Sequence, residues 1–156
     1  MATKGKVDVR DLENFKKNLE KSLSGNEINS FIESCAKELA ARLLAKVIKR
    51  TPVGQYPSGS GKVGGTLRRG WTGGQSQSAT TYANGLKVNH FGDVYVIEII
   101  NPVEYAPYVE FGHRTRDHKG WVEGRFMLTI SEQEIERDAP RVLENKLKKK
   151  LGEVFK

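Results

Sequence analysis

Gly59-Ser60-Gly61-Lys62-Val63-Gly64 spells G-x-G-x-x-G, a spacing with which a glycine turn can bring backbone N–H groups onto a pyrophosphate. That chemistry needs a strand feeding the glycines and a helix leaving them. Here a helical stretch and Thr51-Pro52 come before, and another glycine follows, so the segment reads as a flexible loop. Gly61-Lys62 also resembles the end of a phosphate-binding loop. Tyr56 stands where that motif has its first glycine, and Val63 where it has the magnesium-binding hydroxyl, so nucleotide binding is rejected. His113, Asp117 and His118 could be written as a metal site. Arg114, Arg116 and Lys119 lie among them and make cation binding electrostatically unattractive, which favours a solvated loop. Glu104 and Glu110 are six residues apart, about 240° around a helix, and do not form the carboxylate pair of a hydrolase.

Cys35 is the single cysteine, so neither an intramolecular disulfide nor a multi-thiolate metal site can form. It falls on an apolar helical stripe, where a thiol acts as a small hydrophobe. No catalytic constellation survives, and no cofactor is implied. Basic clusters remain. One is Lys62, Arg68 and Arg69; a second is Arg114, Arg116, Lys119 and Arg125. Loop cations of this kind can follow a phosphate backbone without reading bases, so they are candidate contacts to DNA or to a partner. A third, Lys146 with Lys148-Lys149-Lys150, reads as a solvated helix face.

The elements that carry these residues belong to one domain spanning 1–156. Hydrophobic residues make up 37% and charged residues 29%, which excludes collagen-like, disordered and membrane classes. A formal charge of +7 permits a polyanionic neighbour and also simply maintains solubility. Apolar runs such as Val94-Tyr95-Val96-Ile97 are far shorter than the ~20 residues of a membrane span. The opening residues lack an apolar core of signal-peptide type, so folding in a reducing cytoplasm is expected.

Residues 1–7 read as a short flexible lead-in. Val9, Leu12, Phe15, Leu19 and Leu23 then recur at helical spacing, ending at Ser24-Gly25-Asn26. Ile28, Phe31, Ile32, Cys35, Leu39, Leu43 and Val47 form a second, longer stripe, stopped by Thr51-Pro52. Residues 52–78 are a Gly/Ser-rich loop or arm, interrupted by a helical turn that Leu67 and Trp71 anchor. Strands are expected near 71–82, at 86–89 and at 94–100, the last two joined through His90-Phe91-Gly92-Asp93 and the last closed by Pro102. Val103–Phe111 is ambiguous, with aromatics at three-residue spacing. A final helix runs from about Phe126 to Val154. Ser131 and Glu134 fit a capping box that places its start later, and Pro140 would kink it. The order implies an α+β domain: an antiparallel sheet of three or four strands against a long N-terminal helix and a C-terminal helix.

Three segments together resemble a known family. Thr51-Pro52-Val53, then Gly65-Thr66-Leu67-Arg68-Arg69-Gly70-Trp71, then Asn101-Pro102-Val103-Glu104-Tyr105-Ala106-Pro107-Tyr108-Val109-Glu110-Phe111-Gly112 follow a long amphipathic helix. That order resembles the tail-component family of long-tailed bacteriophages and prophages. Trp121-Val122 and Arg125-Phe126-Met127-Leu128 also look like members from contractile-tailed prophages. The insert between Val53 and Thr66 is longer than the family's usual loop.

The resemblance implies a non-enzymatic neck protein, similar in fold to tail terminators, that completes the tail and joins it to the head. Such proteins act as rings, commonly sixfold, around the DNA channel. The implied partners are copies of itself in a ring, expected to be a hexamer, the tail tube or tail terminator, and a head-closure or connector protein. Non-specific contact with genomic DNA is also implied, and no membrane. The implied location is the virion, after assembly in the host cytoplasm. By the same resemblance Leu67 and Trp71 anchor the loop, and Tyr105, Tyr108, Phe111 and Gly112 shape the element after the sheet, where plain core packing is the simplest role for each aromatic. A stand-alone basic nucleic-acid-binding module is one rival reading, and a hydrolase or nuclease resting on the loop histidines His113 and His118 is another.

Overall fold

The computed structural model describes residues 3–5 and 25–154. The helix expected over Val9–Leu23 lies outside the described residues. Two long helices set the frame. Helix α1, Gly25–Arg50, buries Ile28, Phe31, Ile32, Cys35, Leu39, Leu43 and Val47 on one stripe. Helix α5, Met127–Val154, buries Met127, Leu128, Ile135, Val142 and Leu143. The two pack antiparallel, as cross-links from Lys46 to Glu134 and from Lys146 to Glu38 require. Lys49 and Arg50 close α1, where cations meet the negative end of the helix dipole.

Helix α5 begins at Met127, ahead of the capping box expected at Ser131. The Ser131 hydroxyl instead donates back to the Met127 carbonyl at 2.6 Å and accepts from Arg50. Pro140 sits within α5 at an exposed position, and the helix continues through it. The missing N–H therefore falls on the solvated side of the helix.

Between the long helices lie three short ones: α2 Thr66–Gly70, α3 Ala79–Asn84 and α4 Ala106–Phe111. Six three-residue strands complete the described elements. They are β1 Thr3–Gly5, β2 Asn89–Phe91, β3 Val94–Val96, β4 Ile99–Asn101, β5 Gly112–Arg114 and β6 Trp121–Glu123. They pair antiparallel as three separate two-stranded ribbons: β1 with β4, β2 with β3, and β5 with β6. The architecture is α+β, with small sheets in place of one sheet of three or four strands. The reason lies at Ile97-Glu98, which leave the ladder and divide the single expected strand into β3 and β4 with different partners. Part of the expected lead-in, Thr3–Gly5, is the strand that β4 takes.

The strand expected near Trp71–Tyr82 is a turn followed by α3. Ser78 caps α3 by accepting from the Thr81 N–H at 3.1 Å. Serine at this position competes for backbone donors and favours a helix start over a strand. The core is one continuous cluster in which Leu67, Trp71, Ala83, Tyr95, Ile99 and Ala106 pack against α1 and α5.

Candidate functional site

The three signature segments meet at a buried polar node. Thr51, completely buried, ends α1 by donating its hydroxyl to the Val47 carbonyl at 2.6 Å. The same oxygen accepts the indole N–H of Trp71 at 2.8 Å. Arg68 reaches back from α2 and donates twice to the Thr51 carbonyl, at 2.8 and 3.3 Å. That carbonyl follows the last turn of a helix that Pro52 stops, so its natural donor is missing and Arg68 supplies one. Asn101, also buried, donates to the Leu67 carbonyl at 2.8 Å and accepts the Val103 N–H at 3.2 Å. Gly70 is the space for that amide: a Cβ there would stand 2.2 Å from the Asn101 Oδ1. Leu67 and Trp71 thus fasten the loop segment to the core, while Gly65, at φ 92°, makes the sharp entry into α2.

A second node joins α4 to α5. Glu110 is buried, and its carboxylate accepts the Leu128 N–H, the Thr129 N–H and the Thr129 hydroxyl at 2.9, 2.9 and 2.7 Å. The first-turn amides of a helix have no internal partners and carry the positive end of its dipole. Glu110 therefore caps α5 from a different helix. The backbone completes the splice: Phe126 donates to the Glu110 carbonyl at 3.0 Å and Arg125 to the Val109 carbonyl at 2.7 Å. Gly112 turns the chain out of α4 at φ 86°, and a Cβ on it would meet the Val122 carbonyl at 2.5 Å. No side chain fits there, so the β5–β6 ribbon lies tight on the end of α4.

With Ala106 and Glu110 turned inward, the aromatics of the third segment turn outward. Tyr105 is 46% exposed, Tyr108 58% and Phe111 58%. This corrects the expectation that these aromatics fill the core. Phe126 and Trp121 join them at the surface. Phe111 meets Phe126 edge to face at 6.5 Å between centroids, and Tyr108 meets His113 likewise at 5.7 Å. Arg114, Arg116 and Lys119 stand exposed on the ribbon and its loop, where Asp117 is tied down by the Thr115 hydroxyl and the Lys119 N–H. Those contacts hold the Asp117 carboxyl below its usual range. No group of three or more His, Cys, Asp or Glu side chains converges as a metal site among the described residues.

The other expected basic cluster divides by role. Arg68 is absorbed by the Thr51 node, and Arg69 reaches the Gly64 carbonyl at 3.3 Å. Lys62 remains exposed, 5.7 Å above the Tyr56 ring. Pro52 is exposed beside a recess of about 250 Å³ that Val53, Tyr56, Val63, Tyr105 and Val109 line. Of the third cluster, Lys146 is bonded to Glu38 at 2.8 Å and Lys148 to Glu144 at 2.9 Å. Cys35 is fully buried, and burial pushes its thiol up to about 12, which leaves it protonated and unreactive.

Sequence reasoning missed the roles of Asn101 and Glu110. Asn101 carried a usable signal, an asparagine before proline at a strand end, where the amide can organise the next turn. Glu110 carried none, because a cap supplied by another helix has no fixed spacing from the amides it serves.

The described body is thus α+β, with two buried polar splices and an exposed aromatic, basic edge. A family model described as "Bacteriophage HK97-gp10, putative tail-component" matches residues 13–112, and the chain belongs to that family. The match takes in all three signature segments and stops at Gly112, so the β5–β6 ribbon past Gly112 and all of α5 lie beyond it. No curated protein and no solved structure matches the chain. No described helix is long and apolar enough to cross a membrane.

Proposed function

We propose that this tail component is a non-enzymatic tail-completion protein of a phage or prophage particle, acting at the neck where tail meets head. It self-associates into a ring, a hexamer, around the DNA channel. It docks to the tail tube or terminator on one side and to the head-closure or connector protein on the other. Assembly proceeds in the host cytoplasm, and the protein ends in the virion. The observation that carries this reading is the third signature segment, which buries Ala106 and Glu110 and presents Tyr105, Tyr108 and Phe111 to the outside. Large apolar side chains at a surface mark a contact site. A ring subunit needs such a surface together with a rigid body, because heterologous contacts must close at a fixed angle. Electron microscopy of particles from a deletion strain tests the reading: unjoined heads and tails are expected, and normal infectious particles would refute it.

A second reading, a stand-alone basic nucleic-acid-binding module, is favoured by the exposed Lys62, Arg114, Arg116 and Lys119. Titration of the isolated chain with duplex DNA at two salt concentrations separates the two. Weak binding is expected; tight binding with a steep salt dependence supports the rival.

A further inference from the structure

We infer that the β5–β6 ribbon is a docking element for another protein of the particle, one that offers an apolar groove rimmed by carboxylates. The inference rests on the tail-component reading and narrows it to one surface and one kind of partner.

Size argues first. Trp121 and Val122 are 55% and 43% exposed on β6, and Tyr108, Phe111 and Phe126 stand at the base of the ribbon. With roughly half of each aromatic's 150–250 Å² uncovered, the ribbon and its base expose on the order of 400 Å² of aromatic surface, with Val122 on the face of β6 opposite Trp121. That total is comparable with the largest apolar patch on a typical monomer, roughly 300–600 Å², and is about half of the ~800 Å² each partner gives to a standard interface. The ribbon is also a two-stranded element whose outer strand is exposed at all three positions. Such a ribbon is marginal in water and gains from a surface that covers it.

Charge selects the partner. Residues 113–125 hold four cations, Arg114, Arg116, Lys119 and Arg125, against two carboxylates, Asp117 and Glu123. None of the four cations has an ion pair among the described residues. Several of the described carboxylates are already engaged. Glu38, Glu134, Asp138 and Glu144 are already paired to lysines or arginines, and Glu110 is buried as a helix cap. Glu33, Glu104 and Glu136 lie on α1, before α4 and on α5 respectively. A second copy carries the same net charge of +7 and is a poor source of an acidic rim. Duplex DNA would satisfy the cations but leave the aromatic centre uncovered, since its bases are stacked inside the helix and its surface there is phosphate. An acidic rim around an apolar groove satisfies both features, with charge setting register and partner choice.

The test is photo-crosslinking in assembled particles that carry the full chain with Trp121→p-benzoylphenylalanine, after immunoblotting shows the chain to be present. A crosslink to a different virion protein, in an acidic segment, is expected. Its yield should fall about tenfold or more in the R114E/R116E background, since like charges across an interface cost several kcal/mol. Both substitutions are on exposed side chains, and an unchanged melting temperature of the purified variant shows that folding is intact. A crosslink to a second copy, a crosslink to DNA, no crosslink at all, or a yield indifferent to charge reversal each overturns the inference while leaving the tail reading in place. Absence of the chain from particles is a separate result, which sinks the tail reading and the docking with it.

Discussion

The indole N–H of Trp71 donates to the hydroxyl of Thr51 across 2.8 Å, with both side chains fully buried. The residue that stops α1 is thereby the residue that seats α2. Thr51→Val keeps the shape but leaves the indole donor with no partner, at a cost of about 1–3 kcal/mol. Thr51→Ser keeps the hydroxyl and is expected to lose less. Urea unfolding followed by tryptophan fluorescence ranks the two; equal losses would show that the hydrogen bond contributes nothing.

Gly70 and Gly152 make a matched pair of helical glycines with opposite expectations. A methyl at Gly70 would sit 2.2 Å from the Asn101 Oδ1, inside the node that joins the second and third segments. Gly70→Ala is expected to destabilise by more than about 2 kcal/mol, because the buried amide must move and lose its bonds. A methyl at Gly152 meets nothing within 4 Å. Gly152→Ala is expected to stabilise by up to about 1 kcal/mol through helix propensity alone. Thermal melts of both variants decide it.

Much of the frame was legible because long helices write their burial as a repeating stripe, and Ile28 to Val47 do so without ambiguity. The division of 94–101 into two strands was not, since Ile97 carries the same β-branched chemistry as its neighbours and only the separate partners of β3 and β4 create the break. Helix α3 was hidden by Ala79-Thr80-Thr81, which have no apolar period to read. The signature aromatics were misplaced for a more instructive reason. In α4 the inward face is Ala106 and Glu110, so the usual pattern is inverted: a carboxylate is buried and the aromatics are exposed. Only the amides at the start of α5 explain that inversion, and they lie 18 and 19 residues further along the chain.

Glu110 offers a direct check of that explanation. Glu110→Ala strips three hydrogen bonds from the first turn of α5, two of them from backbone donors, of which the Leu128 N–H is left buried and unpaired and the Thr129 N–H half-buried. A loss of about 2–3 kcal/mol is expected, within the range for a charged acceptor at a helix N-terminus. Hydrogen exchange should localise the damage, with the Leu128 and Thr129 amides losing protection before the middle of the helix does. Uniform loss along α5 would argue against a capping role.

The clamp between the long helices gives a pH signature. Glu134 accepts from Arg50, at both of its oxygens, and from Lys46 at 2.9 Å. The Arg50 guanidinium and then the Lys46 ammonium hold its carboxyl down at about 2, against an ordinary 4.5. A carboxyl depressed in the folded state adds stability that is complete above about 4.5 and drains away as pH falls toward 2. Glu134→Gln cannot titrate, so the stability gap between wild type and variant should be widest near neutral pH and close through that acid window. The group is partly solvated, so added salt should narrow the neutral-pH gap as well. Denaturant midpoints at pH 7, 4 and 2.5, each at low and high salt, measure both effects. A gap that stays constant from pH 7 to 2.5 would mean that the clamp does not hold the helices through its charge.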